Sequence, residues 1–379
     1  MTPRLAGQPG RPGGRPLASM TGGEAGRAGA FVPGGAFTGI GSLPFEDPQE
    51  AVSFVADLSP QIPFWPQLPA GDMVGAVFGH ASPAFSPVLL GRPAAAGYEL
   101  SEERLAQLRV AAADPPSPLT ETQAPGLSAF HRAARRGAFA RAQAVKGQVT
   151  GPLTLACLLR VAGSSGIARR DVVSVLAALV VKQATWQIQQ LRYLHRPVLM
   201  FVDEPVLGIT ADHPDARAHA SVLRGICGAI RAAGGIAGLH CCTLAWLGQL
   251  SGVQPDIISF DALGGMTAPI DDETTRGFWS ADGIMAFGLI PPQQTEPVPS
   301  TRQLFARWVL AGASVGDDVA ALAGRTMVTA TCGLALQSPA AAEASFRQAA
   351  NLSSLIAIVA AAGGPEPGRS GVAGYGGSR

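Results

Sequence analysis

The chain has 379 residues, of which 47% are hydrophobic and 15% are charged, and its formal net charge at pH 7 is +1. This composition is typical of a protein that buries a large core, and it excludes a mainly disordered chain. The near-zero charge gives no electrostatic reason to expect nucleic acid or an anionic membrane surface as a partner.

Three bulk features favour a cytoplasmic protein. The five cysteines are an odd number and two are adjacent, which argues against a disulfide framework and for a reducing compartment. The longest mainly apolar runs, Val172–Val181 and Leu355–Ala362, are too short to span a bilayer. The N-terminus carries arginines but no apolar segment of signal-peptide length, so we expect neither export nor membrane insertion.

The two ends of the chain differ in composition from its middle. Residues 1–35 are dominated by Gly, Arg, Pro and Ala, and residues 363–379 have the same bias. We predict that both are disordered, as an N-terminal extension and a C-terminal tail. Residues 36–362 are expected to form the folded domain.

Short apolar runs alternate with helical patterns between these ends. The predicted strands are Ala36–Ser42, Ile62–Gln67, Ala144–Thr150, Pro197–Asp203, Ile236–Cys242, Ile257–Asp261, Ile284–Ile290 and Met327–Cys332. The predicted helices are Pro48–Leu58, Arg170–Leu194, Ala216–Ala233, Thr243–Ser251, Thr301–Ala313 and Ala340–Ala361. Strands that alternate with helices indicate parallel pairing with right-handed crossovers. Eight such units predict an α/β fold, a (β/α)8 TIM barrel.

Residues 69–141 fit this repeating pattern poorly. The segment is long and proline-rich, and we interpret it as an insertion after the second strand, with a hairpin and helices over the barrel mouth. A doubly wound open sheet is the alternative fold, but no GxGxxG motif opens an early helix.

Polar residues gather where the predicted strands end, which is where a TIM barrel carries its active site. They are Ser42, Gln67, Lys146 to Thr150, Asp203, Glu204, His240, Cys242, Asp261 and Cys332. A random placement would scatter such groups over helix surfaces too, so this clustering predicts an enzyme.

Imidazole and thiolate donors at two strand ends predict a zinc site. His240 and Cys242 share one face of a strand, whereas Cys241 points toward the surrounding helices. With Cys332 they form a three-ligand set from separate strand ends, which is typical of a catalytic zinc with an open position. The alternative is that these residues are core residues beside a turn. Asp261 is either a fourth ligand or an acceptor for the histidine, and the sequence leaves these two roles open.

The donor set also indicates a reaction type. Zinc held by two thiolates is a weak Lewis acid toward water and suits the binding of another thiol, which then reacts as a thiolate. No CxxC pair of a structural zinc finger and no HExxH motif of a metalloprotease is present. These features favour alkyl transfer to sulfur over peptide hydrolysis.

Seven motifs carry a resemblance to a known family over about residues 37–350. They are TGIGSLPFEDP (Thr38–Pro48), GQVTGPLTL (Gly147–Leu155), FVDEP (Phe201–Pro205), GLHCC (Gly238–Cys242), DIISFDA (Asp256–Ala262), PVPS (Pro297–Ser300) and TCGL (Thr331–Leu334). In this order they resemble the catalytic barrel of cobalamin-independent methionine synthase, within the superfamily that includes uroporphyrinogen decarboxylase.

The resemblance implies a metal site and an amino-acid site. The zinc ligands of the family fall on His240, Cys242 and Cys332, and its glutamate ligand falls on Asp261. The family's carboxylate-binding turn falls on Ile40, Gly41 and Ser42, and the acid that pairs with the α-ammonium falls on Asp203. Alternatives exist for the second site: Asp203 with Glu204 as a helix-start or rim ion pair, and Ser42 bonding its own turn.

Departures from the family pattern concern the methyl donor. The chain has no room for the family's second, N-terminal barrel. The tryptophan that stacks on the pterin is replaced near Leu158, and Pro291–Gln294 stand where a histidine would protonate the folate nitrogen. A tertiary amine leaves poorly unless it is protonated, so methyltetrahydrofolate is disfavoured as donor. The resemblance to shorter, single-barrel members favours methylcobalamin or a corrinoid protein as the partner.

Three functions remain to be compared. The first is a zinc-dependent methyltransferase that converts homocysteine to methionine, or that methylates another thiol in a corrinoid-linked reaction. The second is a metal-free lyase resembling uroporphyrinogen decarboxylase, which needs N-terminal arginines to clamp carboxylates; here only Arg15 and Arg27 stand near the first strand, in the predicted extension. The third is a non-catalytic barrel with a structural or regulatory zinc in a closed site.

Overall fold

The computed structural model describes residues 31–69, 72–91, 97–263, 273–291, 298–313 and 318–362. The predicted tail and residues 1–30 of the predicted extension lie outside the described residues. Residues 31–35 differ from the prediction because they are packed: Phe31 is 5% exposed, and the Gly35 N–H donates to the Thr326 carbonyl at 2.8 Å. The folded region therefore includes Phe31 and does not begin at Ala36.

The described residues form an α/β structure around one parallel sheet. The strands are β1 (Tyr98–Leu100), β2 (Val145–Thr150), β3 (Leu159–Val161), β4 (Ser164–Ser165), β5 (Val198–Asp203), β6 (Ile236–Cys241), β7 (Ile257–Asp261), β8 (Ile284–Ile290) and β9 (Thr326–Ala330). Six strands pair in the order β2–β5–β6–β7–β8–β9, all parallel, and the sheet curls into a half-barrel. β8 is buried along its whole length, as expected of a parallel strand covered on both faces.

Helices follow most strands of this sheet. They are α1 (Pro48–Leu58), α2 (Met73–Ala81), α3 (Pro87–Leu90), α4 (Glu102–Ala113), α5 (Pro125–Arg135), α6 (Pro152–Cys157), α7 (Arg170–Leu191), α8 (Ala216–Ala232), α9 (Leu250–Val253), α10 (Glu273–Ser280), α11 (Thr301–Ala313), α12 (Val319–Gly324) and α13 (Pro339–Ala362). The prediction of α1 is confirmed at both ends. Asp47 caps it by accepting the Gln49 N–H at 2.6 Å, and Pro48 occupies the first turn, where its missing N–H costs nothing.

The first two predicted strands are not regular strands. Segment 36–42 lies beside β9 through a bridge between Phe37 and Val328, and segment 62–67 lies beside β2 through a bridge between Phe64 and Lys146. A third bridge joins the two segments to each other, between Ser42 and Gln67. Regular ladders fail here because prolines at positions 63 and 66 lack the donors that a ladder needs, and glycines at 39 and 41 weaken strand conformation.

The predicted helix Thr243–Ser251 is wrong. The chain turns after β6, passes through a 3-10 helix at Leu247–Gln249 and then forms only α9. Gly248 and Gly252 disfavour a continuous helix, and Pro255 prevents its extension.

The insertion contains helices, as predicted, but no hairpin among its described residues. It forms α2, α3, β1, α4 and α5, and β1 pairs in parallel with β3, which in turn pairs antiparallel with β4. The helix α2 lies over the carboxyl ends of the main sheet and contributes to a cavity there. The insertion therefore shapes the mouth of the sheet.

One described helical span, Arg170–Leu194, is long and apolar enough to cross a membrane by length and composition. More than half of its apolar window, 56%, is buried inside the protein. Its α7 portion contacts β2 and the neighbouring helices α4, α6 and α8. These contacts are those of a helix that covers a sheet.

Candidate active site

A cavity of about 210 Å³ opens at the carboxyl ends of the sheet strands. The described residues that line it include Ile40, Ser42, Asp203, His240, Cys242 and Cys332. The structure thus brings together most of the predicted site residues around one space. Pockets for drug-sized ligands measure about 300–1,000 Å³, so this one suits a smaller molecule.

A larger cavity, about 640 Å³, lies at the opposite end of the sheet. Its lining includes Asp256 before β7 and Gly283 before β8, together with residues of α10. Parallel α/β proteins bind substrates at the carboxyl ends of their strands. We therefore assign the candidate site to the smaller cavity, despite the greater volume of the other.

Three soft donors converge in the smaller cavity. The Cys242 Sγ lies 3.4 Å from the His240 Nε2 and 3.5 Å from the Cys332 Sγ. Zinc bonds of about 2.0 Å to nitrogen and about 2.3 Å to sulfur place tetrahedral ligands about 3.6 Å (N to S) and about 3.8 Å (S to S) apart. The two observed separations are only a few tenths of an ångström shorter than these values.

These contacts form a row with Cys242 in the middle. Among the described residues, no group of three or more His, Cys, Asp or Glu side chains is already drawn together as a finished metal site. The chemistry of the donors and their two contact distances therefore support a zinc site whose ligands reach their final positions when the ion binds. The site is not preformed.

A buried serine orients the imidazole. His240 pairs in register with Ser259 on β7, and its Nδ1 lies 3.0 Å from the Ser259 Oγ. A metal-binding histidine commonly engages its second nitrogen in this way, which fixes the orientation of the ring. Burial, helped by the positive charge of Lys146, lowers the pKa of His240 to about 3. The ring is therefore neutral, as a metal ligand must be.

Asp261 is the last residue of β7. It does not hydrogen-bond to the Nδ1 of His240, which contacts the Ser259 hydroxyl instead. Its Oδ1 accepts the Leu263 N–H at 2.7 Å and so helps to turn the chain after the strand. Its negative charge weakly opposes the lowering of the Cys332 pKa, so the two side chains are near each other. The acceptor role predicted for Asp261 thus falls to Ser259, whereas its role as a fourth ligand stays a prediction.

The two thiols of the row differ in acidity. A hydrogen bond from the Cys242 thiol lowers the pKa of Cys332 to about 7 and raises the pKa of Cys242 itself. Cys332 is therefore the sulfur that loses its proton first.

The other three cysteines lie away from this row. The Cys241 Sγ is buried and contacts the Pro205 carbonyl at 3.9 Å and the Thr243 Oγ1 at 3.7 Å, on the opposite face of β6. Cys157 and Cys227 lie on helices, and burial raises their pKa values to about 11 and about 12. None of the three combines access to the cavity with acidity.

The turn at Ile40–Ser42 lies close to Gly333 and Leu334, the two residues that follow Cys332. The Leu334 N–H donates to the Ser42 carbonyl at 3.0 Å, and a Cβ on Gly333 would lie 2.2 Å from the Ser42 Oγ. Glycine after Cys332 therefore permits this approach. Gly41 has a φ of +156°, which favours glycine. Within the described part of the chain, no acceptor takes the N–H of Gly41 or of Ser42.

Asp203 faces the same cavity from the end of β5. Its Oδ1 is buried and has no hydrogen-bond partner among the described residues. Burial raises the pKa of Asp203 to about 6, although the positive charge of Lys146 opposes the shift. A buried, unsatisfied carboxylate oxygen beside a cavity is a suitable acceptor for a cationic ligand group.

Glu204 has a structural role at a helix start, as one alternative from the sequence suggested, but it acts there as a cap and not in an ion pair. It is fully buried, and its carboxylate accepts the Leu153 N–H at 2.9 Å and both the N–H and the hydroxyl of Thr154, at 2.8 and 2.6 Å. It therefore caps the start of α6 and forms no rim ion pair with a described residue. Gly151 is required beside it, because a Cβ there would lie 2.2 Å from the carboxylate.

His80 is a cavity residue that sequence reasoning missed. It belongs to α2, is 3% exposed and packs edge-on against the Trp65 ring at 5.4 Å between centroids. Burial lowers its pKa to about 4, so it is neutral near pH 7. No local motif marks it, because its position depends on how the insertion folds over the sheet.

Comparison with protein-family models and with curated proteins gives no relative from which to transfer a function. No protein-family model matches the chain, and no curated protein matches it. The resemblance to the methionine synthase family therefore stays a prediction from motifs, and the functional argument depends on the geometry of the cavity.

Proposed function

We propose that the protein is a zinc-dependent S-methyltransferase that transfers a methyl group to a thiol, with homocysteine as the acceptor and methionine as the product. One observation carries the proposal: His240, Cys242 and Cys332 line one cavity, and the Cys242 sulfur lies from each of the other two donors at a distance close to that between tetrahedral zinc ligands. Zinc held by this set would favour the thiolate form of a bound thiol, which is the nucleophile in alkyl transfer.

An α-amino acid as acceptor is supported by the rest of the cavity. The free N–H groups of Gly41 and Ser42 suit a carboxylate, and the unpartnered Oδ1 of Asp203 suits an α-ammonium. Ser42 and Cys332 line the same small space, so the amino-acid end and the thiol end of one ligand can be bound together. In this arrangement the turn and Asp203 orient the ligand, while the apolar residues of α2 exclude water from it.

The complete eight-stranded barrel belongs to this proposal. Segments 36–42 and 62–67 bridge to β9, to β2 and to each other, which supports their assignment to the first two strand positions of a (β/α)8 barrel. That closure would bring the turn of the first position next to the end of the last strand, and the hydrogen bond from the Leu334 N–H to the Ser42 carbonyl supports it.

The lyase alternative has less support from the cavity. Enzymes resembling uroporphyrinogen decarboxylase need cationic side chains to clamp several carboxylates. None of the described residues that line the cavity is an arginine or a lysine. A single carboxylate held by backbone N–H groups is better matched to an amino acid than to a polycarboxylate.

Metal analysis and X-ray absorption test the proposal directly. We expect the purified protein to contain one zinc ion per chain, and the addition of homocysteine to raise the number of sulfur neighbours by about one. Protein without zinc, or a coordination sphere that homocysteine leaves unchanged, would refute the proposal. An unchanged sphere with four protein ligands would instead support a structural zinc.

Separate methyl-transfer assays identify the donor. Homocysteine is supplied with methylcobalamin in one assay and with methyltetrahydrofolate in the other, and methionine is measured. We expect turnover with methylcobalamin, or with a methylated corrinoid protein, because a methyl group on cobalt needs no acid to protonate the leaving group. Turnover with methyltetrahydrofolate alone would contradict this choice of donor.

A further inference from the structure

Lys146 is buried beneath the candidate site. It is 1% exposed on β2, and it is one of two lysines in the sequence, the other being Lys182. Moving an ammonium out of water is costly unless the charge is compensated by good partners. A lysine in this position therefore calls for a reason beyond the filling of space.

The partners of the ammonium group connect it to the amino-acid site. The Lys146 Nζ donates to the Ile40 carbonyl and, at 3.2 Å, to the Gln148 Oε1. It also lies 4.9 Å from the centre of the Phe201 ring, a favourable cation–π contact. Lys146 itself is not among the described residues that line the cavity. It therefore acts through its neighbours and is not placed to form a Schiff base with a ligand.

The contact with Ile40 orients the turn. A trans peptide is planar, so its C=O and N–H groups point in opposite directions. When the Ile40 carbonyl points to Lys146, the N–H of Gly41 points away from it. This is one of the two N–H groups that have no acceptor within the described residues.

The ammonium of Lys146 lies close enough to Asp203 to interact electrostatically with its carboxyl group. No salt bridge links the two described side chains, since the ammonium is occupied by Ile40 and Gln148. Asp203 therefore keeps an oxygen available for a ligand.

We propose that Lys146 is a positioning residue that prepares the Ile40–Ser42 turn and the Asp203 carboxylate for the two charged ends of an α-amino acid. The inference rests on the proposed function and adds to it a determinant of substrate class. Lys146 makes the site select zwitterionic amino-acid thiols over thiols that lack the carboxylate and the ammonium.

The test compares two ligands and two variants. Zinc-loaded wild-type, Lys146→Met and Lys182→Met proteins are titrated calorimetrically with homocysteine and with 1-propanethiol, which has neither charged group. Lys182 donates to the Ala111 carbonyl away from the cavity, so its variant is the matched control. We expect Lys146→Met to bind homocysteine at least tenfold more weakly, with zinc content and 1-propanethiol affinity unchanged. We expect Lys182→Met to match wild type with both ligands.

Selective labelling covers the case in which Lys146→Met does not fold. Because the chain has two lysines, wild-type protein with ¹³Cε-labelled lysine gives two signals, which Lys182→Met assigns. Homocysteine should shift the Lys146 signal and leave that of Lys182 in place, whereas 1-propanethiol should shift neither.

The outcomes separate the two proposals. Wild-type protein that binds neither zinc nor homocysteine overturns the proposed function and the inference with it. Wild-type protein that binds both, together with an unshifted Lys146 signal or undiminished homocysteine affinity in Lys146→Met, overturns the inference about Lys146 alone. Equal losses of homocysteine and 1-propanethiol affinity would also overturn it, because they would indicate general disruption of the cavity.

Discussion

Replacing single cysteines by serine should separate metal binding from stability. Cys332 is exposed and belongs to the row of donors, whereas Cys241 is fully buried on the opposite face of β6. We expect Cys332→Ser to lose zinc while the unfolding free energy of the metal-free protein stays nearly constant. Cys241→Ser should show the reverse, with zinc retained and stability reduced.

The magnitudes follow from the surroundings of each sulfur. Structural sites bind zinc with about 10–16 kcal/mol, so one ligand of four is worth about 3 kcal/mol, or on the order of a hundredfold in affinity. A buried hydroxyl without a good partner costs about 1–3 kcal/mol. The acceptors nearest to Cys241 lie at 3.7 and 3.9 Å from its sulfur, which is too far for a strong bond from a shorter hydroxyl. An exposed substitution such as Cys332→Ser changes stability by about 0.5 kcal/mol or less.

Two measurements on each variant test which of the two thiols binds zinc. Zinc affinity is measured by competition with a chromogenic chelator, and stability by urea unfolding in the presence of EDTA. Loss of zinc from Cys241→Ser to the same extent as from Cys332→Ser would mean that the wrong thiol has been assigned. Retention of zinc by Cys332→Ser would refute the donor set itself.

Three further predictions concern the amino-acid site and the fold. Burial raises the pKa of Asp203 to about 6, so below that value homocysteine affinity measured by calorimetry should fall about tenfold per pH unit more steeply than 1-propanethiol affinity, as the carboxylate becomes protonated, and Asp203→Asn should abolish this difference between the two ligands. Gly41→Ala should cost about 1–3 kcal/mol in denaturant unfolding, because its φ of +156° strains any side chain. The exposed helical Gly225→Ala should instead gain about 1 kcal/mol, since a Cβ there meets no atom within 4 Å. Glu204→Ala should lower the unfolding free energy by about 3 kcal/mol or more, because three buried donors at the start of α6 lose their acceptor; a loss below 1 kcal/mol would show that water replaces the carboxylate.

Much of the fold was predictable because local signals agree with the tertiary structure. β7, β8, α1 and α11 begin and end at the predicted residues, since apolar runs there are bounded by polar caps or by turn residues. The first two predicted strands failed as regular strands for reasons that are visible in the sequence, namely the glycines at 39 and 41 in the first and the prolines at 63 and 66 in the second. Their bridges to β9 and β2 depend on the curvature of the whole sheet, which no local pattern contains.

The candidate site was predictable where period-two alternation and strand ends determine it. His240 and Cys242 face the cavity and Cys241 does not, as alternation along a strand requires. The same alternation relates Lys146 to Gln148 and provides a signal for a polar inner face of β2. By contrast, the contact of Lys146 with Ile40 joins residues 106 positions apart and requires the fold itself.

The two neighbouring sulfurs bracket the last part of the sheet. Cys242 follows β6 and Cys332 follows β9, at a separation of 90 positions that encloses β7, β8 and β9. A cross-link that closes a loop of about a hundred residues is worth about 4–5 kcal/mol through the entropy of the unfolded chain. An ion bound by both sulfurs would constrain the unfolded chain in the same way. The melting temperature of the protein would therefore increase with the concentration of that ion.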